Sequence, residues 1–183
     1  APRAQEAASR GAASSPAAAF SQVNAQVAAA LGAHVVERVL AHAPAMVVDA
    51  YAGTGHTAIA LASNTRRVVA IELDADASAW CAARLPNGSR AVAAKVEDAL
   101  PAALPADVVI LNPPRAGVDR RVTNVLESAR DTTRAIVYVS CDPATLARDV
   151  ARLPGWRVAS LVSFDMFPQT AHVETVCELL PET

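Results

Sequence analysis

The sequence predicts a doubly wound α/β fold, with a mostly parallel seven-stranded sheet whose last strand runs antiparallel. Three observations predict it. Continuous runs of Val, Ile and Ala alternate with stretches whose apolar residues recur at helical spacing, which is the pattern of a parallel sheet covered on both faces. A glycine-containing turn, Gly53-Thr54-Gly55, follows the first run, where such folds place a ligand. The last two runs, Trp156 to Phe164 and Val173 to Leu180, are joined by a segment too short for a parallel crossover.

Residues 1 to 19 are mainly Ala, Ser, Arg and Pro with no periodic apolar face, and read as a disordered tail or linker before one folded domain over 20–183. Val23, Val27, Leu31, Val35 and Val39 recur every four residues and predict a helix that stops before Pro44. A buried strand from Ala45 to Ala50 follows. Next come a helix through Ile59 and Leu61, a strand from Val68 to Glu72, a helix from Ala75 to about Arg84, and a short strand from Ala91 to Ala94. Strands from Asp107 to Leu111 and from Ala135 to Ser140 flank a helix with Val122, Val125, Leu126 and Ala129 on one face. No helix is assigned between Ala94 and Asp107. Leu146, Val150 and Leu153 mark a helix before the last two strands.

The bulk numbers bound the function. At 183 residues and 52% hydrophobic, the chain can bury one core and is short for two domains. A formal charge of −2 argues against a domain that grips nucleic acid by electrostatics alone. Fifteen Arg against the single Lys95 read as compositional bias. Cys81, Cys141 and Cys177 lie too far apart for a metal site and suit a reduced cytoplasmic compartment. No apolar run reaches the roughly 20 residues that span a bilayer, and the start lacks signal-peptide order. A first residue Ala1 rather than Met is what a piece of a longer chain would show.

Ligands of open parallel sheets bind outside the carboxyl ends of the strands. Those ends carry Asp49-Ala50-Tyr51-Ala52-Gly53-Thr54-Gly55, then Glu72, placed to accept two ribose hydroxyls, then Asn112-Pro113-Pro114-Arg115, then Ser140-Cys141-Asp142-Pro143. An antiparallel last strand brings its amino end, with His172 and Glu174, to the same edge. The glycine loop alone also satisfies the dinucleotide fingerprint and leaves nicotinamide or flavin enzymes as an alternative. The rigid Asn-Pro-Pro turn favours methyltransferases, which use such a turn to hold a planar acceptor. Bland readings stand beside these: Cys141 as a small strand-end residue, Glu174 as an edge charge, Cys81 and Cys177 as packing, and His34, His42 and His56 on helix surfaces or ends. Arg115, Arg120, Arg121, Arg148 and Arg152 offer a modest basic rim or, more simply, solvated helix faces. Asp142-Pro143 reads as a helix N-cap with Pro in the first turn, so Cys141 sits against the positive end of that helix.

Five segments together resemble a known family. Phe20-Ser21-Gln22-Val23-Asn24, Asp49-x-Tyr51-x-Gly53-x-Gly55, Asn112-Pro113-Pro114-Arg115-x-Gly117, the run from Tyr138 to Asp149, and Phe164-Asp165-Met166-Phe167-Pro168-Gln169-Thr170-x-His172-Val173-Glu174 are similar, in order, to motifs of the RNA uracil-5-methyltransferases. The resemblance covers about residues 20 to 180. It implies a Rossmann-like class I methyltransferase fold, S-adenosylmethionine as cofactor, and tRNA or rRNA as substrate. It implies Cys141 as the nucleophile that adds to the pyrimidine and Glu174 as the base that removes the ring proton. It further implies a cofactor site at Gln22, Asp49, Tyr51, Gly53, Gly55, Glu72 and Asn112, with Asn112, Pro113 and Arg115 toward the substrate and no metal. Relatives usually carry an RNA-binding barrel that this chain lacks. Asn112 stands where the family usually has Asp, and Ala52 where it usually has Cys. Two further readings therefore stay open: methylation of an exocyclic or amide nitrogen, and a cofactor-binding homologue impaired by Asn112.

Overall fold

The computed structural model describes residues 25–166 and 173–182. The tail predicted at 1–19, the segment with Gln22, and His172 lie outside the described residues. Among the described residues six helices and seven strands follow one another, in the predicted order apart from one added helix, α4: α1 (Ala25–Ala41), β1 (Met46–Ala50), α2 (His56–Leu61), β2 (Arg67–Glu72), α3 (Ala75–Ala82), β3 (Arg90–Ala93), α4 (Val96–Ala103), β4 (Val108–Leu111), α5 (Arg120–Ser128), β5 (Ala135–Ser140), α6 (Pro143–Val150), β6 (Trp156–Phe164) and β7 (Glu174–Pro181).

The strands form one sheet in the order β3-β2-β1-β4-β5-β7-β6. All pairings from β3 to β5 are parallel, and β7 enters antiparallel between β5 and β6. Strand periodicity divides the core in two. Val48, Ala50, Tyr138 and Leu179 face α4, α5 and α6, whereas Val47, Val137, Val139 and Val176 face α1, α2 and α3. Both faces are covered, so β4 and β5 are buried at every position.

The described part of the first apolar stripe behaves as its spacing dictates: Val35 and Val39 of α1 are buried. At the far end of α1, His42 Nε2 lies 2.7 Å from Glu178 Oε1 and Arg38 Nη1 lies 3.6 Å from Glu178 Oε2, tying the helix to β7. His42 is therefore an anchoring residue rather than a free surface histidine. His34 meets the Phe164 ring at 5.6 Å between centroids.

One element departs from the sequence reading. Helix α4 occupies the stretch left unassigned, because Pro101 inside it reads as a break. Val96, Leu100 and Ala103 are nevertheless buried, at a spacing that fits one helical face, and Glu97 and Asp98 favour the positive first turn. With only eight residues in the helix, the missing Pro101 N–H removes a bond near its end, and burial outweighs that loss.

Candidate active site

Strand register sets the edge on which the chemistry-bearing residues gather. Ala50 pairs with Ile71 on one side and Leu111 on the other, so Tyr51, Glu72 and Asn112 leave the sheet at one level. A cavity of about 430 Å³ opens there, lined by Tyr51, Glu72, Leu73, Lys95, Glu97, Asn112 and Pro114 among others.

The loop after β1 is shaped by backbone conformation. Tyr51, Gly53 and Gly55 all have positive φ, at 62°, 55° and 78°. For a tyrosine that conformation is uncommon and is held by its surroundings. The two glycines answer different needs. A side chain at Gly55 would collide with Cys81 of α3, whereas a Cβ at Gly53 would meet nothing within 4 Å. Glu72 fixes the loop, since its Oε2 accepts the Gly53 N–H at 2.8 Å and its Oε1 accepts the Asp74 N–H at 2.8 Å. Each oxygen keeps a further lone pair, so the carboxylate still has acceptors for ligand hydroxyls.

Asp49 lies underneath. Alternation along β1 turns it toward α2, where it is 2% exposed and its Oδ2 has no hydrogen-bond partner among the described residues. Burial pushes its carboxyl from 3.8 up to about 7, opposed by the backbone at Ala58 and reinforced by the charge of Glu72. Tyr51 is likewise pushed up to about 12, first by burial and then by Glu97.

The second half of the edge is built by β5, α6 and β7. Cys141 is a free, partly exposed thiol directly after β5. Asp142 caps α6, with Oδ1 accepting the Thr145 N–H at 2.8 Å, and Ser140 Oγ accepts the Asp142 N–H at 3.1 Å. Hydrogen bonding to the backbone of Thr145 holds the Asp142 carboxyl below its ordinary range. In the antiparallel pairing of β5 with β7, Ile136 opposes Leu179 and Ser140 opposes Thr175. Cys141 and Glu174 are the next residues beyond that last pair, at the same edge of the sheet, and β5 itself ends at Ser140. Glu174 is partly buried, which raises its carboxyl pKa, while the Arg115 charge acts in the other direction. Arg115 also acts on Asp142, so the Asn-Pro-Pro-Arg loop, the Cys141 turn and the start of β7 lie within electrostatic reach of one another.

Of the residues singled out from sequence, Tyr51, Glu72 and Asn112 line the cavity, and Gly53 is bonded to Glu72 beside it. Cys141 and Glu174 stand just beyond the last β5–β7 pair, and the Arg115 charge acts on Glu174. Asn112 and Arg115 are exposed, and Pro113 is buried whereas its neighbour Pro114 lines the cavity. Gln22 lies outside the described residues. The supposed basic rim is smaller than five arginines: Arg121 pairs with Glu97 and Asp98, and Arg148 and Arg152 both pair with Asp149. Asp149 itself was not singled out. Its signal was present, because it sits on the apolar stripe that Leu146, Val150 and Leu153 define.

Comparison with known proteins bears on this arrangement. The family model described as tRNA (Uracil-5-)-methyltransferase matches residues 88–181, more than half of the chain. The chain belongs to the tRNA (uracil-5-)-methyltransferase family. Within that family it is similar to the 23S rRNA (uracil(1939)-C(5))-methyltransferase RlmD of Pseudomonas fluorescens, 39% identical over 167 residues, which are 86% of this chain and 36% of that protein. The 23S rRNA (uracil(747)-C(5))-methyltransferase RlmC of Shewanella amazonensis is 35% identical over 170 residues, 89% of this chain and 44% of that protein. The chain thus spans well under half the length of these relatives. Its structure is similar to that of the Pyrococcus abyssi tRNA (uracil-54, C5)-methyltransferase in complex with S-adenosyl-L-homocysteine, with a TM-score of 0.72 and 30% identity, covering 88% of this chain and 40% of that one. The N-methyltransferase NodS of Bradyrhizobium japonicum, at 11% identity and a TM-score of 0.68 over 87% of this chain and 99% of that one, shares the class I methyltransferase fold.

Proposed function

We propose that this uracil-5-methyltransferase family chain carries the catalytic site of an S-adenosylmethionine-dependent RNA methyltransferase acting on carbon-5 of a uracil in tRNA or rRNA, with Cys141 as nucleophile and Glu174 as base. The observation that supports it most is the β5–β7 register: Ser140 pairs with Thr175, so Cys141 and Glu174 each stand one residue beyond the last pair of that ladder, at one edge of the sheet. A nitrogen methyltransferase would need neither group.

The residues present fit the donor. An open cradle at Gly53, spare lone pairs on Glu72 and a cavity of about 430 Å³ suit a nucleoside with an attached amino acid. Glu72 would accept the ribose hydroxyls, and Tyr51, Gly53 and Asn112 would bound the donor, above the buried Asp49 and the close-packed Gly55. When bound, S-adenosylmethionine supplies a methyl group on a positively charged sulfur.

Carbon-5 of uracil is too weak a nucleophile to take that methyl unaided. Cys141 Sγ forms a bond to ring carbon-6, and the displaced π electrons make an enolate that is rich in electrons at carbon-5. Once carbon-5 carries its methyl, Glu174 takes the remaining carbon-5 proton, the C–H electrons restore the ring double bond, and Sγ leaves. Burial that raises the Glu174 carboxyl pKa improves it as a proton acceptor. Asn112 offers both a donor and an acceptor to the polar edge of the ring, and Arg115 a charge beside Glu174. A base in a duplex stack cannot reach this edge, so the target uracil is flipped or in a loop. With a formal charge of −2, the chain does not grip RNA by net electrostatic attraction alone.

RNA containing 5-fluorouracil tests the reading, because fluorine at carbon-5 blocks the proton removal and traps the Sγ–carbon-6 bond. A covalent adduct is expected with the wild type and none with Cys141→Ser. Methylation of RNA by a wild type that forms no adduct would overturn the mechanism.

A further inference from the structure

The function proposed above makes no use of Asp149 on α6. It is fully buried, yet its two oxygens are the meeting point of three chain segments. Oδ2 accepts the Tyr138 hydroxyl at 2.8 Å and the Val118 N–H at 3.0 Å. Oδ1 accepts Arg148 Nη2 at 2.8 Å and Arg152 Nη1 at 3.1 Å. Tyr138 lies on β5 three residues before Cys141, and Val118 ends the loop that begins with Asn112. Neither bond to Oδ2 belongs to a helix or strand ladder.

The same loop is fastened to α6 at three further points. Thr145 Oγ1 donates to the Arg115 carbonyl at 3.2 Å, and Arg148 Nη2 donates to the Ala116 carbonyl at 2.7 Å. Gly117, at φ 79°, comes so close to α6 that a Cβ there would collide with Asp149 Oδ2, Arg148 Nη2 and Thr145 Cγ2. For packing alone, an apolar residue at this position on the α6 stripe would serve and would avoid the desolvation of a carboxylate. What the carboxylate adds is direction, since its acceptors fix one loop against another.

We propose that Asp149 is a positioning residue: it locks the Asn112–Arg115 loop, which faces the acceptor ring, onto the unit that carries Cys141, so that ring and nucleophile keep one mutual geometry. This role rests on the function proposed above, whereas the clamp itself can be read separately.

The test uses Asp149→Asn and, with the carboxylate left in place, Gly117→Ala and Tyr138→Phe. Misplacement of reacting groups by an ångström costs about 100-fold in rate, so Asp149→Asn is expected to lower kcat for methyl transfer about 100-fold and the other two about 10-fold. KM for RNA and the Kd for S-adenosylmethionine should change far less than kcat, because Tyr51, Gly53 and Glu72 are held by bonds outside the clamp, although Asn112 and Pro114 lie on the clamped loop; a general loosening of the fold would move all three constants together. Hydrogen exchange at the Val118 amide should speed up in Asp149→Asn and Gly117→Ala. A kcat within about threefold of wild type in donor-competent Asp149→Asn would overturn the proposal. So would unchanged exchange at Val118. If Asp149→Asn fails to fold, Gly117→Ala and Tyr138→Phe decide it by the same kcat-against-KM comparison. If the wild type methylates no uracil carbon-5, the functional reading fails, and the exchange data alone then decide whether Asp149 couples the two loops.

Discussion

Gly53 and Gly55 are two residues apart, both in the left-handed region, yet they should respond differently to a methyl group. Gly55→Ala adds collision with Cys81 to backbone strain and is expected to cost about 3 kcal/mol. Gly53→Ala carries the strain alone, about 1 kcal/mol, and its added methyl should weaken donor binding by narrowing the cradle. Thermal unfolding and a donor titration separate the two effects. Asp49 bears a second prediction at this scale. Its carboxyl holds a proton up to about pH 7 in the folded chain and only to about 3.8 when unfolded. Between those values the native state binds more protons, so stability falls as pH rises through the window. Asp49→Asn should remove that slope and gain on the order of 4 kcal/mol at pH 7.5, a figure set by the shift. Urea unfolding from pH 4 to 8 checks it, and an unchanged slope would be the contrary result.

At the scale of elements, α1 meets the sheet through Glu178, a 6% exposed carboxylate in the middle of β7 held by His42 and Arg38. Removing one member of a buried ionic group leaves its partners uncompensated. Glu178→Ala should therefore destabilise the chain by about 2 kcal/mol, less than for a fully enclosed pair because Arg38 and His42 remain partly exposed. A lowered urea midpoint with an unchanged slope is the expected sign. Elements also show how far the sequence could be read. β5 starts and stops where its apolar run does, because it is paired on both sides, by β4 and β7, and ends at turn residues; β6, an edge strand paired with β7 alone among the described strands, also keeps its expected bounds. α4 was not legible, since Pro101 hides a helix that burial of Val96, Leu100 and Ala103 sustains. The Tyr138–Asp149–Val118 junction was equally hidden, because its members are close only after β4, β5 and α6 have packed.

For the molecule as a whole, the proposed donor site links ligand binding to folding through the loop after β1. A ligand that binds only the folded chain stabilises it by about 2.7 kcal/mol at a hundred times its Kd. S-adenosylhomocysteine should raise the melting temperature accordingly, and Glu72→Ala should abolish the rise by releasing both Gly53 and the ribose site. A rise that survived Glu72→Ala would place the nucleoside elsewhere. The sequence by itself determined the alternation of strands and helices, the reversed last strand and the residue types at each strand end, because periodicity and turn chemistry are local properties. Only the tertiary structure decided that β7 inserts between β5 and β6, that Ser140 pairs with Thr175 at the end of that ladder, and that one buried carboxylate joins the loop after β4 to β5. Those facts depend on register and on charge pairing across distant segments, and neither leaves a trace in any one stretch of chain.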